Sequence, residues 1–479
     1  MRICLISPTT KFDMGLWPPL GLAYIAAMLE KEGHSVKVID REVIKRKNKW
    51  DFSKLDKIMH QELVSFKPEL IGLSATTALI PDAYQCADIC KSLFPDVTIV
   101  IGGIHPTVLP ELTLRECNSV DIVVRSEGEF TMCDIAKGIS CKKIHGISYR
   151  YNGKIVHTID RPILTNIDEI DMPARHLLDM DFYLQPTPDV MRGIEIRATH
   201  IFTARGCPYN CEFCAGAKFF GQRVRFHSPE YVLNEIDYLI SHYPIEGIHF
   251  VEDLFLANKK RAQKICHELI RRKINRKIRW SAQLRANLAS KEMLMLMKKA
   301  GCIQIEYGFE SGSQRVLDIM NKKTTVQQNY HAAKITKEVG LRLLADILLG
   351  MPGETKDDIL KTIQFIKETN PHYVGLAKLT PIPGSPIFDS LCKKKLVNYN
   401  WKNFNIGAKE NRDTNYTEMS NQEFFTLFDY IQNKLVQPIL DKNYFSYNIR
   451  RYPLRVIRTF LRKFFANPLA TIKRTVHFT

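Results

Sequence analysis

No run of about 18 apolar residues occurs in this chain of 479, so no helix is expected to cross a bilayer. The opening MRICLISP lacks the basic start, apolar middle and small-residue cleavage site of a secretion signal, and reads as a buried strand. A cytoplasmic protein is therefore expected, and disulfides seldom persist there, so the twelve cysteines should be thiols or ligands. No solenoid-type repeat is present, which excludes stacked-repeat architectures. Acidic residues are in short supply, 51 against 68 Lys and Arg for a net charge of +17. That excess favours contact with nucleic acid, an acidic membrane surface or an acidic substrate, and charge alone does not choose among them. The imbalance is greatest in residues 450–479, which hold eight Lys or Arg and no Asp or Glu. Within them Leu454, Ile457, Leu461 and Phe464 fall at helical spacing beside Arg451, Arg455, Arg458 and Arg462. Such a segment either makes peripheral contact with an anionic bilayer surface or docks on its own domain.

What is present is ordinary in bulk and patterned in detail. A chain this long, 45% hydrophobic and 25% charged, should form two or three domains. Residues 1–137 alternate short β-branched runs (2–6, 35–39, 70–74, 97–101, 120–124) with segments of helical spacing such as 20–32 and 82–94. Five such βα units imply a doubly wound parallel sheet whose ligands bind at the carboxyl ends of the strands. At that edge stand IGLSATT (71–77), IGGIHPT (101–107) and SEGEFT (126–131). Gly102 and Gly103 would let a bulky ligand approach the backbone, and Ser74, Thr76 and Thr77 could donate hydrogen bonds. A phosphate could use the same features, or the domain could serve only to pack against its neighbour.

Residues 138–198 lose this rhythm and suggest a hairpin followed by a connecting segment. From 199 six further units follow, with strands near 199–204, 248–251, 279–284, 302–307, 343–348 and 373–379 and long amphipathic helices such as 229–243 and 325–339. Six units without two more imply an open, partial (β/α)6 barrel with its active site at the strands' carboxyl ends. After about 390 a small, mostly helical, basic region is expected, so the boundaries fall at 1–140, 141–198, 199–390 and 391–479.

The sharpest chemical signal is RGCPYNCEFCAG, directly after the first barrel strand, with Cys207, Cys211 and Cys214 in the spacing C-x3-C-x2-C. Three thiolates so close can share one cuboidal iron–sulfur cluster, and since such clusters usually take four ligands, one iron is left open. An open coordination position is what separates catalytic from structural metal sites. A structural zinc site with a remote fourth ligand is the alternative, although no second C-x2-C pair accompanies this one. Cys86 and Cys90, one helical turn apart with no third ligand nearby, read as core or surface residues.

With that spacing in that loop, the barrel resembles the radical S-adenosylmethionine superfamily over residues 199 to about 390. The resemblance implies a [4Fe-4S] cluster on Cys207, Cys211 and Cys214 whose open iron is chelated by S-adenosylmethionine. It also implies cleavage of that cofactor to a 5′-deoxyadenosyl radical. FVEDLF, with Glu252 and Asp253, looks like the segment that meets the methionine amino group, and Arg285 stands where a basic residue often faces its carboxylate. EYGFESGS offers Glu310 and Ser311 for the ribose or methionine end. LLGMPGET, with Gly350 and Gly353, looks like the glycine-bearing end of strand five, and TPIPGSP, with Pro383, like the sixth-strand end near adenine. Taken singly, glycines and acids at strand ends are commonly turn residues and helix caps.

The first 140 residues, including PPLGLAYIAAMLEKEGHSVKVID, resemble the cobalamin-binding domain that precedes the barrel in cobalamin-dependent radical enzymes. One departure stands out: the Asp-x-His-x-x-Gly motif that supplies a lower cobalt ligand is absent, and the chain reads Asp40, Arg41, Glu42 there. His105, before Pro106, suits a loop hydrogen bond better than cobalt. The resemblance implies reduction by a flavodoxin or ferredoxin and methylation of an unactivated carbon of a small-molecule or lipid substrate. The cofactors carry that chemistry, and no side-chain acid or base is assigned. Oxidative cyclisation, as in the anaerobic porphyrin ester cyclases, is the enzymatic alternative, and a non-catalytic corrinoid or zinc-binding module the alternative of another class. Nucleic acid is disfavoured as a partner, since no RNA-binding module follows the barrel.

Overall fold

The structure, a computed structural model, describes residues 1–479 except 14, 253, 398–399, 402–403, 405–413, 450–451, 455, 458–460 and 462–479. Five β-branched runs form the parallel strands β1 (Arg2–Ser7), β2 (Ser35–Asp40), β3 (Leu70–Ser74), β4 (Thr98–Gly102) and β5 (Ile122–Val124), in the order β2-β1-β3-β4-β5. The inner strands are apolar on both faces, as a sheet covered by helices requires: Ile3, Ile6, Ile71, Ile99 and Ile101 are all completely buried. Cys86 and Cys90, on the helix Ile80–Leu93, are completely buried in the same core, and burial raises both thiol pKa values, that of Cys90 to about 12.

The hairpin expected within 138–198 is β6 (Ile147–Tyr151) with β7 (Lys154–His157), and it extends the first sheet. β6 runs antiparallel to β5, and its Ile147 and Tyr149 are buried. At the end of β2, Asp40 caps the helix Arg41–Lys47 by accepting from the Glu42 and Val43 amides. Arg41 is buried and spans Asp56 (2.9 Å) and Asp82 (2.8 Å). The segment that carries a cobalt-ligating histidine elsewhere is here consumed by helix capping and ion pairing.

The strands of the second sheet are β8 (Ala198–Ile201), β11 (Gly247–Phe250), β12 (Arg279–Leu284), β13 (Cys302–Glu310), β14 (Arg342–Leu349) and β15 (Tyr373–Lys378). They are parallel, in the order β15-β14-β13-β12-β11-β8, and form an open barrel. A short ribbon, β9 (Ala204–Arg205) with β10 (Arg225–Phe226), brackets the cysteine loop. Alternation decides the faces of β13. Tyr307 and Phe309 point to the helices, where Tyr307 reaches Thr336 and Phe309 packs on Phe365, while Gln304, Glu306 and Glu310 take the other face. Helix starts are marked by reciprocal caps, Thr325 with Gln328 and Thr355 with Asp358.

Two compact units result. One gathers Met1–Tyr183, Arg205–Ser228 and Thr380–Ile406, and the other Leu184–Ala204, Pro229–Leu379 and the described residues from 407 onward. In the first unit the helix Pro386–Lys393 brings Phe388 into the core of the N-terminal sheet, and Trp401 joins that core while donating to Glu116 (3.1 Å). In the second, the helices Asn421–Tyr430 and Gln437–Asn448, joined by a π-helical segment, make up the helical C-terminal region. No helix among the described residues is long and apolar enough to cross a membrane. Most of the basic stripe expected in the tail, including Arg451, Arg455, Arg458, Arg462 and Phe464, lies outside the described residues.

Candidate active site

The cysteine loop is built by backbone constraints at both ends. Gly206 adopts φ +95, and a Cβ there would fall 2.2 Å from the Arg223 carbonyl oxygen, so only glycine lets the chain pass. Cys211 is buried and Cys207 and Cys214 partly so, and all three are free thiols. The Cys214 amide donates to the Cys211 carbonyl (3.1 Å), folding the last two cysteines into one turn. The Gly216 amide then donates to Cys214 Sγ (3.3 Å), which favours the thiolate. Three thiols with an amide aimed at sulfur are chemically suited to an iron–sulfur cluster. Among the described residues no group of three His, Cys, Asp or Glu side chains converges as a metal cage.

In the same unit the candidate corrinoid edge is mostly backbone. Ser74 ends β3 half-buried and Thr76 is exposed. Gly102 ends β4, its carbonyl accepting from the Ala75 amide (2.9 Å), and a Cβ added to it would meet nothing closer than 3.7 Å. Gly103 differs: φ is +101, and a Cβ would come 2.6 Å from the Ala75 oxygen, so this glycine answers to loop packing. Room over Gly102 and hydroxyls on the neighbouring strand suit a large planar ligand. His105 is buried, bonded through Nδ1 to Thr77 (3.2 Å) and set edge-on to Trp401, and burial pushes its pKa down to about 4. The sequence position suggests a loop hydrogen bond; the residue instead lies in the short helix Ile104–Val108 and makes its bond to Thr77 from there.

In the second unit charged residues dominate the strand ends. Glu252 is buried and accepts from the Thr203 amide (3.1 Å) and hydroxyl, while Arg261 donates to the Thr203 carbonyl (2.7 Å). Asp253 lies outside the described residues. Arg285 donates to the Lys322 carbonyl and Lys322 pairs with Glu310 (2.7 Å), so Arg285 and Glu310 are joined through one lysine. Glu310 sits at φ +63 beside a register shift in β13, a conformation that costs a non-glycine residue energy and clusters at functional sites. Gly308 makes room for the pair: a Cβ there would lie 2.6 Å from Glu310 Oε1. Ser311 is engaged elsewhere, its hydroxyl 3.1 Å from Thr362 and accepting from the Ser313 amide. Gly350, at φ +102, donates to Glu354 (2.6 Å), which also accepts from Met351. Pro383 is buried in 380–406 and so groups with the cysteine loop rather than with these residues.

Several residues escaped the sequence reading. Arg192 bridges Glu306 (2.9 Å) and Asp346 (2.7 Å), and burial beside Glu306 raises the Asp346 pKa well above its ordinary value. Gln283 adds a bond to Glu306 (3.2 Å), and His249, bonded to Ser281 (2.8 Å), is kept neutral by burial near Arg192. Polar residues at alternate positions of β13, Gln304, Glu306 and Glu310 with Gly308 between the last two, are the signal that could have revealed this lumen.

With the site described, the comparisons with known proteins decide the family. The family model for the radical SAM superfamily matches residues 201–366, and that for the B12 binding domain matches residues 14–136. An uncharacterized methyltransferase of Pyrococcus horikoshii is 37% identical over 414 residues, spanning 84% of this chain and 86% of its own. The chain belongs to the cobalamin-dependent radical S-adenosylmethionine enzymes. As such it works with a [4Fe-4S] cluster, S-adenosylmethionine and cobalamin. An anaerobic magnesium-protoporphyrin IX monomethyl ester cyclase of Rubrivivax gelatinosus is 29% identical over 85% of this chain and 72% of its own. The solved radical S-adenosylmethionine methyltransferase TsrM of Kitasatospora setae superposes with a TM-score of 0.69 at 18% identity, covering 82% of this chain and 76% of that one, and so shares the fold.

Proposed function

We propose that this cobalamin-dependent radical enzyme methylates an unactivated carbon of a small-molecule substrate, with Cys207, Cys211 and Cys214 as the cluster ligands. When bound, the cluster with S-adenosylmethionine supplies a hydrogen-abstracting radical and the corrinoid supplies the methyl group. The chain's own residues bind and orient. Glu252, held by Thr203, presents a buried carboxylate to the cofactor's amino group; Arg285 offers a cation for its carboxylate, and Glu310, fixed by Lys322, accepts from a hydroxyl. Ser74, Thr76 and Gly102 line the corrinoid edge. Arg192, Glu306 and Asp346 grip a polar part of the substrate, so that one carbon is presented. A flavodoxin- or ferredoxin-type protein delivers the electron.

The observation that carries this reading is the joint presence of the three-thiol loop and a corrinoid-type sheet in a chain 37% identical to a protein named a methyltransferase. The cyclase relative favours oxidative cyclisation as the second reading. Anaerobic reconstitution followed by turnover with methyl-labelled S-adenosylmethionine tests both, since label in the product supports methylation and deoxyadenosine with unlabelled product supports cyclisation. Replacing any one of Cys207, Cys211 or Cys214 by Ser should abolish deoxyadenosine formation with the far-ultraviolet circular dichroism unchanged. Activity persisting in those variants would remove the cluster assignment.

A further inference from the structure

The SEGEFT segment, which the cofactor assignments leave unused, meets the cysteine loop. Arg205 stands two residues before Cys207, and Arg225 lies on the far side of Cys214, so the two bracket the loop. Both are buried, and both converge on one carboxylate of the N-terminal domain. Glu127 accepts from Arg205 Nη1 (3.1 Å) and, in bidentate fashion, from Arg225 Nη1 and Nη2 (2.8 Å each). Glu129 takes the other Arg205 nitrogen (2.7 Å), while Arg225 also donates to the carbonyls of Leu164 (3.0 Å) and Phe220 (3.1 Å). Ser126, at φ +65, starts the turn and sends its hydroxyl to the Phe219 carbonyl (2.9 Å), on the helix Gly216–Phe220 that leaves Cys214. Two cations face two anions, and the arginines hold the Glu127 pKa below its ordinary value despite burial.

Buried ion pairs contribute little net stability compared with apolar residues of the same volume, because desolvation offsets the attraction. What they supply is geometry, and a planar guanidinium bound bidentately fixes both position and orientation. We propose that Glu127 is a positioning residue for the iron–sulfur cluster: by clamping Arg205 and Arg225 it locks the three-cysteine loop onto the end of β5 in the corrinoid domain. Retention of the cluster, and its setting relative to the corrinoid edge, then depend on a residue that touches neither. This rests on the cluster assignment above.

The test compares anaerobically reconstituted holoenzyme of wild type, Glu127→Gln and Glu127→Asp. Three readouts are followed: iron release to a chelator, the electron paramagnetic resonance of the reduced cluster, and the corrinoid absorption. Outer-shell partners of metal sites are typically worth 10- to 100-fold, so Glu127→Gln should release iron about tenfold faster and shift the resonance, with the corrinoid band retained. Glu127→Asp, which keeps the charge with a shorter reach, should recover part of the loss. Wild-type iron release and an unshifted resonance in Glu127→Gln overturn the inference. Should that variant fail to fold, Glu127→Asp decides by the same two readouts. Arg161→Met, which breaks the Arg161–Asp134 pair in the same unit, is the control. If it lowers the melting temperature and speeds iron release in the same proportion as Glu127→Gln, the role is merely structural and the inference fails. Wild-type protein that holds no iron would instead sink the cluster assignment, so the two failures are distinguishable.

Discussion

The two sheets present the carboxyl ends of their parallel strands in opposite styles. The corrinoid sheet ends in backbone: Gly102, Gly103 and the hydroxyl-bearing turn after β3, with its histidine buried and neutral. The barrel ends in charge: Glu252 on Thr203, Glu310 on Lys322, and Arg192 between two carboxyls. A large cofactor can be held by area and close approach, which needs side chains removed, whereas the charged end of a small one must be met by specific ions. Loss of a single barrel carboxylate should therefore cost far more than loss of a hydroxyl at the corrinoid edge.

The largest effect expected from this contrast is at Glu310. Glu310→Gln removes the carboxylate charge that pairs with the buried Lys322 ammonium, and breaking a buried pair costs about 3 kcal/mol. Denaturant unfolding should show that loss together with weaker S-adenosylmethionine binding, while Ser74→Ala should stay within about 0.5 kcal/mol of wild type. Equal losses at the two positions would break the comparison.

Much of the fold was legible because its signals are local. β-branched runs separated by helical spacing located the parallel strands of both sheets to within a few residues, and the cysteine trio announces itself within eight residues. What escaped reading depends on residues far apart in the chain. Glu127 and Arg225 are 98 residues apart, and Trp401 meets Glu116 across 285. In the sequence Gly103 reads as making space for a ligand, and its Cβ position shows that it makes space for Ala75. Ser311 likewise looked available, but a helix beginning 45 residues later occupies its hydroxyl.

A smaller effect separates adjacent glycines. Gly103→Ala forces a methyl to within 2.6 Å of a carbonyl oxygen at a left-handed φ, which should cost about 2 kcal/mol. Gly102→Ala meets nothing closer than 3.7 Å and should leave the melting temperature unchanged. Its methyl would crowd a bound corrinoid and weaken retention about tenfold, the equivalent of mild overpacking. If instead both variants lose only stability, the edge is a packing surface and the backbone style of binding is refuted for this sheet.

The last expected effect is a slope with pH rather than a step, at a barrel carboxylate that works through the backbone, Glu354. One of its oxygens accepts from the Gly350 and Met351 amides, and the other has no partner among the described residues. Burial lifts its pKa from 4.5 to about 7. Between those values the folded chain holds a proton that the unfolded chain has released, so stability from this group is full below about pH 4.5 and drains as the pH rises through 7. Glu354→Gln keeps an acceptor for the amides and cannot ionise, so it should remove a slope on the order of 2 kcal/mol between pH 5 and 8. Urea midpoints across that range check it: wild type should fall towards alkaline pH relative to the variant. Parallel curves would mean that the loop opens to water when Glu354 ionises, which would make this barrel end as yielding as the corrinoid edge.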